Sequence, residues 1–497
     1  MKIFENVAQM ELSKLKADQF VETKGEDQLS DGKGSRFLIV DTLVNKNTDD
    51  ADLANSKVAM RINPKKNLVR YPNWSHSLQI PIYFKGSKYF TSWDIKSLKP
   101  VRANTYYVDM IEGSDAGTGT ESDPFKSLAH ALGLVGDNEI RLVRAGKYYY
   151  LDGPQGVDPA KGVSIISTSG QAVFSHELRP RVWVEDEVDK GLYTTPSDIG
   201  NGENLKTMSL SAELRPIYKG SGDIQGGGYV VTLGRTPTNG VIGLLAGTTT
   251  TQIRLPNNAN PNEVENFALV YRQENLKIHC NNLIDEVVYL ENLTFMYSYQ
   301  NGVIDVDTST SGSTVAINNC KAYYSRLSDN FDLDCNGLVA LYRCHAEAAY
   351  KDGFNYHNNF SVSGNPNFSA IEVECTSRFN GFEQGGTTHN GSTIHSAANI
   401  IRLNCQHDYN RNRNVHDVGG GAQSFNVGVK ARGSWTDMSG IQCGFDNQDD
   451  TITMWCIGCE TDLLTLGQGS NNNLYVSEDT VFGEFAEFGG NSFDYQQ

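Results

Sequence analysis

The chain has 497 residues, with 42 Lys and Arg against 59 Asp and Glu, and a formal net charge of −17. That balance argues against nucleic acid or an anionic membrane surface as the main partner, since both are held through an excess of Lys and Arg. Only 39% of residues are hydrophobic and 48 Gly stand against 14 Pro. Such a composition suits many short strands joined by tight corners, at a length that allows several domains or one elongated repeat with attachments.

Residues 1–16 (MKIFENVAQMELSKLK) contain no apolar h-region, and no run approaches membrane-spanning length. The expectation is a soluble protein that, if it works outside a cell, leaves without a secretion signal. Residues 15–41 and 50–62 carry a DGKG turn at Asp31 to Gly34 ahead of a strand, then LANSKVAM from Leu53 to Met60. With glycine supplying positive φ in its turns, residues 1–63 read as a small β domain. By these marks the segment resembles the small N-terminal domain that precedes the β-helix of bacteriophage tailspike proteins. Lys33 and Ser35 depart from the more glycine-rich turn of that group. Residues 64–104, with YPNW, IPIYF and YFTSW, form an aromatic, proline-punctuated neck.

At Tyr106 the composition changes. Tyr107 and Val108 read as a strand and Gly113 to Gly119 as a loop. Asp123 then caps a helix opened by Pro124, with Phe125, Leu128, Leu132 and Val135 on one face. A helix there would cover the open end of a strand stack. The stretch from Tyr106 to Leu132 resembles the opening of right-handed parallel β-helix proteins of the pectate-lyase-like kind. The expected fold is therefore all-β, a right-handed parallel β-helix over residues 105–480. The runs IRLVRAG, YYYL and GVSIIS are its first coils, residues 171–275 irregular coils with insertions, and residues 481–497 a short tail.

The most regular part is Val315 to Gly420. Four apolar runs end in Cys320, Cys344, Cys375 and Cys405, which lie 24, 31 and 30 residues apart. Each is followed by a second run: DNFDLD, DGFNYH, NGFEQG and RNVHDV. Two β-type runs per unit, with Gly or Asn at the corners, mark a β-solenoid. Equivalent positions make the cysteines a stacked interior ladder rather than disulfides, which Cys459 continues. The lone CIGC at Cys456 and Cys459 has no second pair at ligand spacing, so no metal site is expected.

Alternation along the second run decides what faces out. Phe331, Phe354, Phe382 and Val415 share one place and belong in the core. Their successors Asp332, Asn355, Glu383 and His416 then form an outward column, with Asp334 and His357 beside it. Two longer loops, 358–368 and 386–396, would wall this column and bring His389 and His395 to it.

The column reads as a substrate groove or as a hydrated sheet face. As a groove, rungs ~4.8 Å apart put Asp332 and Glu383 roughly 9.6 Å apart, near the ~6.5–9.5 Å of inverting glycosidases. Glu383 would be the general acid, Asp332 or Asp334 the base, and His357, Asn355 and His416 would position the sugar. Tyr350, Asp352, Arg378 and Arg413 complete the expected substrate contacts, while Tyr356 falls on the inward register. A polysaccharide lyase needs a base, His357, His416 or Tyr350, and a cation such as Arg378, Lys351, Arg411 or Arg413 for a uronate. A non-catalytic adhesin would use the same column only to hydrogen-bond glycan. A carbohydrate esterase is disfavoured, since no serine at a glycine elbow stands out.

The two resemblances together imply a phage tailspike depolymerase: a virion protein, homotrimeric, attached to the tail or baseplate through its N-terminal domain. It would cut capsule, O-antigen or exopolysaccharide on the host surface without a cofactor. A trimer would also allow a groove between subunits.

Overall fold

The computed structural model describes residues 2–4, 20–23, 36–40, 51–53, 57–62 and 78–134, with single positions before 78. Beyond these it describes 136–149, 162–175, 182–196, 286–298, 304–308, 313–325, 328–335 and 337–357, with shorter pieces between 155 and 279. Toward the C-terminus it describes 368–381, 389–395, 398–418, 421–433, 440–443, 452–466, 472–487 and 492–496. The chain divides into two compact units, Met1–Asp94 and Ile95–Gln497.

In the first unit, Lys2–Phe4, Phe20–Thr23, Arg36–Val40, Ala51–Asp52 and Val58–Ile62 form one five-stranded sheet. Alternation along Arg36–Val40 buries Phe37 and Ile39 against Met10, Leu15, Val21 and Leu53. The LANSKVAM segment supplies the strand Val58–Ile62, antiparallel to Arg36–Val40. The DGKG turn lies outside the described residues. Further on, Ile82–Lys85 and Lys88–Thr91 form a hairpin. Its two turn residues, Gly86 and Ser87, both have φ near +60°, the conformation a two-residue hairpin turn requires.

The second unit is a parallel β-helix with three strands per coil, one more than the repeat suggested. One coil is Leu338–Tyr342, His345–Glu347 and Phe354–His357. Stacked coils make three parallel sheets. Sheet A has twelve strands, from Asn104–Val108 to Ser492–Gln496. Sheet B collects the strand after each cysteine, such as His345–Glu347, Thr376–Arg378 and Gln406–Asp408. Sheet C holds Phe331–Cys335, Phe354–His357, Ser392–His395 and Val415–Val418. Sheets B and C run into one strand at Glu460–Leu466.

The corner from A to B depends on the residue before each cysteine. Asn319, Arg343, Glu374 and Asn404 all have φ between +52° and +55° there, and Gly458 has φ +56° before Cys459. Asparagine and glycine tolerate that left-handed geometry, so they recur at this place. Cys320, Cys344, Cys375, Cys405, Cys456 and Cys459 are all free and buried. The thiols of Cys344, Cys405 and Cys459 bond the carbonyls of Ile317, Glu372 and Asn426 one coil back. Val429 takes the ladder place between Cys405 and Cys459, one residue before the Lys430 that pairs with Gln406.

Three expectations about the helix change. The helix is only Leu128–Leu132, capped by Ser127 rather than Asp123, because Phe125 is drawn into a bridge with Val108. It still contributes Leu128 and Ala131 to the core. Between 184 and 271 the described strands pair mostly antiparallel and none joins sheets A, B or C. This is an insertion rather than irregular coils, since Ser164 pairs directly with Tyr289 and Ala172 with Leu293 across it. The C-terminal segment is no loose tail: Val481–Glu487 and Ser492–Gln496 pair in parallel with the coil before them.

Candidate functional site

Sheet C sets which side chains leave the core. Phe331, Leu333, Phe354 and Tyr356 are fully buried, so Asp332, Asp334, Asn355 and His357 between them point outward. The next rung differs from the expected one. Phe354, Asn355 and Tyr356 pair with Ser392, Thr393 and Ile394, which pair in turn with Val415, His416 and Asp417. Thr393, not Glu383, therefore stands between Asn355 and His416. Glu383 and Phe382 lie outside the described residues, as do 358–367. The extra residues of this coil precede its sheet C strand, whereas the sequence reading placed them after it. His395 is accordingly a strand residue at the end of Ser392–His395, and the separation argued for inversion loses its basis.

The outward groups form one polar cluster. Asp332, Asp334 and His357 are half-buried, and each offers a donor atom within 4.8 Å of the others, a set that could hold a metal ion. Asn355 Nδ2 donates to Asp329 Oδ2 at 2.8 Å and lies 2.7 Å from His357 Nε2. The carboxylate fixes the amide orientation, so Nε2 accepts and the imidazole proton sits on Nδ1. Burial, together with His395 beside it, lowers the His357 pKa to about 4. Burial also lowers that of His395, whose ring stacks on His357 with centroids 4.5 Å apart. Both rings are neutral at pH 7.

Asp352, expected as a substrate contact, is nearly buried beneath them. Burial and the charge of Asp329 push its pKa well above the ordinary carboxyl range, against the pull of His389 and the Asn390 amide. Its backbone N–H donates to Asp329 Oδ1 at 2.6 Å, and its Oδ2 lies 4.0 Å from His395 Nε2. Asn390 donates its amide to Asp352 and its Nδ2 to Thr393 Oγ1 at 3.0 Å.

The remaining expected contacts divide. His416 is buried one rung past Thr393. Arg413 is buried and gives Nε to Gln442. Tyr350 sits on the bend before Asp352, its backbone N–H bonded to Ser325 O. Arg378 belongs to sheet B and pairs with Glu347 at 2.8 Å, so it points from a different face.

Directly behind this face, inside the solenoid, lies a charge network that the sequence reading did not anticipate. Glu372, Arg402, His407 and Asp417 are all fully buried. Arg402 gives Nη1 and Nη2 to Asp417 Oδ1 at 3.1 Å, Nε to Ser392 Oγ at 3.0 Å and Nη1 to Asn426 Oδ1 at 3.2 Å. Ser392 Oγ donates to Glu372 Oε1 at 2.6 Å, and His407 Nε2 lies 3.2 Å from Glu372 Oε2. Despite burial, its hydrogen-bond partners Cys405 and Glu372 raise His407 to about 9, while His407 and Arg402 lower Glu372 to about 2. Two basic side chains thus meet two acidic ones. Glu372, Cys405 and His407 have metal-ligand spacing, but a protonated imidazole has no lone pair to give. Ser392 and Asp417 immediately precede Thr393 and follow His416, so the network fixes the strands that carry the outer face.

No protein-family model and no curated protein matches the chain. Among solved structures it is similar to the pectate lyase Pel9A, at 13% identity over 80% of this chain and 82% of that one, with a TM-score of 0.36. It is also similar to a glycoside hydrolase, at 11% identity over 78% and 96%, with a TM-score of 0.34. A third likeness is to the tailspike protein gp49 from Acinetobacter baumannii bacteriophage Fri1, a capsular polysaccharide depolymerase. There the identity is 12% over 99% of this chain and 76% of that one, with a TM-score of 0.20. These likenesses are distant, and the chemistry below is argued from the chain's own side chains.

Proposed function

We propose that the chain is a tailspike-type depolymerase that hydrolyses a bacterial surface polysaccharide on the outer face of sheet C. The observation that carries this reading is the half-buried Asp332, Asp334 and His357 cluster set beside a buried carboxyl, Asp352, whose burial and neighbour Asp329 favour its protonated form. Glycoside hydrolysis needs one protonated acid and one ionised carboxylate. Asp352 is the proton source. His395, whose Nε2 lies 4.0 Å from Asp352 Oδ2, takes that proton once substrate binding closes the gap to hydrogen-bond distance, and gives the one on Nδ1 to the departing glycosidic oxygen. Asp332 or Asp334 takes a proton from the attacking water. Thr393, His416 and Asn355 are buried on this face, and Asn355 orients His357 through its contact with Nε2. Glu383 remains the rival acid, and comparing Asp352→Asn with Glu383→Gln separates the two: the true acid loses cleavage roughly 100-fold or more, the other does not.

A second reading, β-elimination, is favoured by one observation. Lys351 is near enough to the His357 and His395 pair to lower the pKa of both, and it offers a cation there for a uronate. Ultraviolet absorbance of an unsaturated product decides for elimination, and a mass gain of one water per cut decides for hydrolysis. Assembly as a homotrimer and attachment to a phage tail through residues 1–63 belong to the same proposal. A light-scattering mass of one chain would overturn the trimer.

A further inference from the structure

A second constellation lies on the outer face of sheet B. His345 and Thr376 are direct cross-strand neighbours on adjacent rungs, as are Glu347 and Arg378. His345 Nδ1 is 2.6 Å from Thr376 Oγ1, and His345 Nε2 is 2.8 Å from Glu347 Oε2. Glu347 is fully buried, and although burial alone would raise its pKa, His345 and Arg378 hold it lower. An ionised carboxylate at 2.8 Å requires a proton on Nε2. The lone pair of Nδ1 is then left to accept the Thr376 hydroxyl proton. Hydroxyl, imidazole and carboxylate are aligned as nucleophile, base and orienting acid.

Three further features suit an ester. Glu347 Oε1 is buried without a hydrogen-bond partner among the described residues, while Oε2 holds both His345 and Arg378. Arg378, bound through Nε to Glu347 Oε2 at 2.8 Å, is about half exposed and brings a cation beside the trio for a developing oxyanion. The Tyr323 ring stands 5.3 Å from the His345 ring and forms an apolar wall. Tyr323 thus gives the site a wall wide enough for a short acyl group.

We propose that Thr376, His345 and Glu347 form an acyl-ester hydrolase site that removes short O-acyl groups, of acetyl size, from an alcohol. Thr376 Oγ1 attacks the acyl carbon while its proton passes to His345 Nδ1. The tetrahedral species expels the alcohol oxygen, which takes that proton and leaves an acyl-threonine. Water then attacks, gives a proton to Nδ1, and the acid departs as Thr376 recovers its hydrogen. The sum is ester plus water to acid plus alcohol.

The test is hydrolysis of p-nitrophenyl acetate by the full chain, a probe with no glycosidic bond, so its result is independent of the depolymerase reading. The wild type should turn over and, after acid quenching, carry one acetyl group on the peptide containing Thr376. The near-isosteric variant Thr376→Val should lose roughly 100-fold or more of the rate, and His345→Gln a similar amount, with unchanged melting. Thr376→Ser, which keeps the hydroxyl, should retain activity. No turnover by the wild type, or a Thr376→Val rate equal to it, overturns the proposal, because surface imidazoles alone would then account for any hydrolysis.

Discussion

Replacing Arg402 with Met tests whether the interior charge network holds the solenoid at the level of the outer site. The side chain makes two bonds to Asp417 at 3.1 Å and one each to Ser392 and Asn426, and its Nε lies 3.7 Å from Glu372. Met fills much of the volume but leaves Asp417 buried without its guanidinium partner, while Glu372 keeps His407 and Ser392. Removing one partner of a buried ion pair costs about 3–5 kcal/mol. Urea unfolding followed by tryptophan fluorescence should therefore show a fall of that size for the β-helix transition. Removing Asp417 as well, in Arg402→Met/Asp417→Leu, takes away the orphaned anion and should recover at least half of the loss, since His407 and Glu372 remain a neutral pair. A single-variant loss below about 1 kcal/mol would refute the account, given that scale. So would a double variant as costly as two independent losses.

Other outcomes follow from the same geometry. The folded pKa of His407 is raised to about 9 from 6.5, so its stabilisation is complete below about pH 6.5 and disappears as pH rises through 9. Glu372 is depressed to about 2, so its share is present above about pH 4.5 and lost as pH falls through 2. Thermal melting of His407→Gln should lose this alkaline slope, and an unchanged slope would remove His407 as its source. His357, lowered to about 4, binds a proton more readily unfolded than folded. Stability should therefore rise with pH between 4 and 6.5, and cleavage should fail as pH drops through 4, where the Asn355 bond to Nε2 breaks. The six cysteines whose side chains are described are free and buried, so a thiol reagent should leave them unmodified in the native chain.

The phase of the stack was legible because alternation is local. Once Phe331 and Phe354 were placed inside, Asp332, Asp334, Asn355 and His357 had to lie outside. The cysteine ladder was legible for the same reason. What failed was register across a coil of variable length. NGFEQG looks like the neighbouring runs, yet the rung belongs to Ser392–His395. The Asn390-Gly391 turn followed by β-branched Thr393 and Ile394 was the available signal for it. The sheet B strands were missed because three residues are too few to show a period. The charges of Glu372, Arg402 and Asp417 were hidden because polar residues in a strand read as outward, and here Ser392, His407 and Asn426 satisfy them indoors. Asp329 gained its role only from the fold, which brings it under Asp352 and Asn355 from an adjacent coil.

The most direct measurement is product mass after the chain is incubated with a panel of bacterial surface polysaccharides, wild type beside Asp332→Asn/Asp334→Asn. The account predicts that one polymer falls to short oligosaccharides each heavier by a water, and that the variant, folded as judged by melting, leaves that polymer intact. Saturable binding with no fall in polymer size, or undiminished cleavage by the variant, would contradict it.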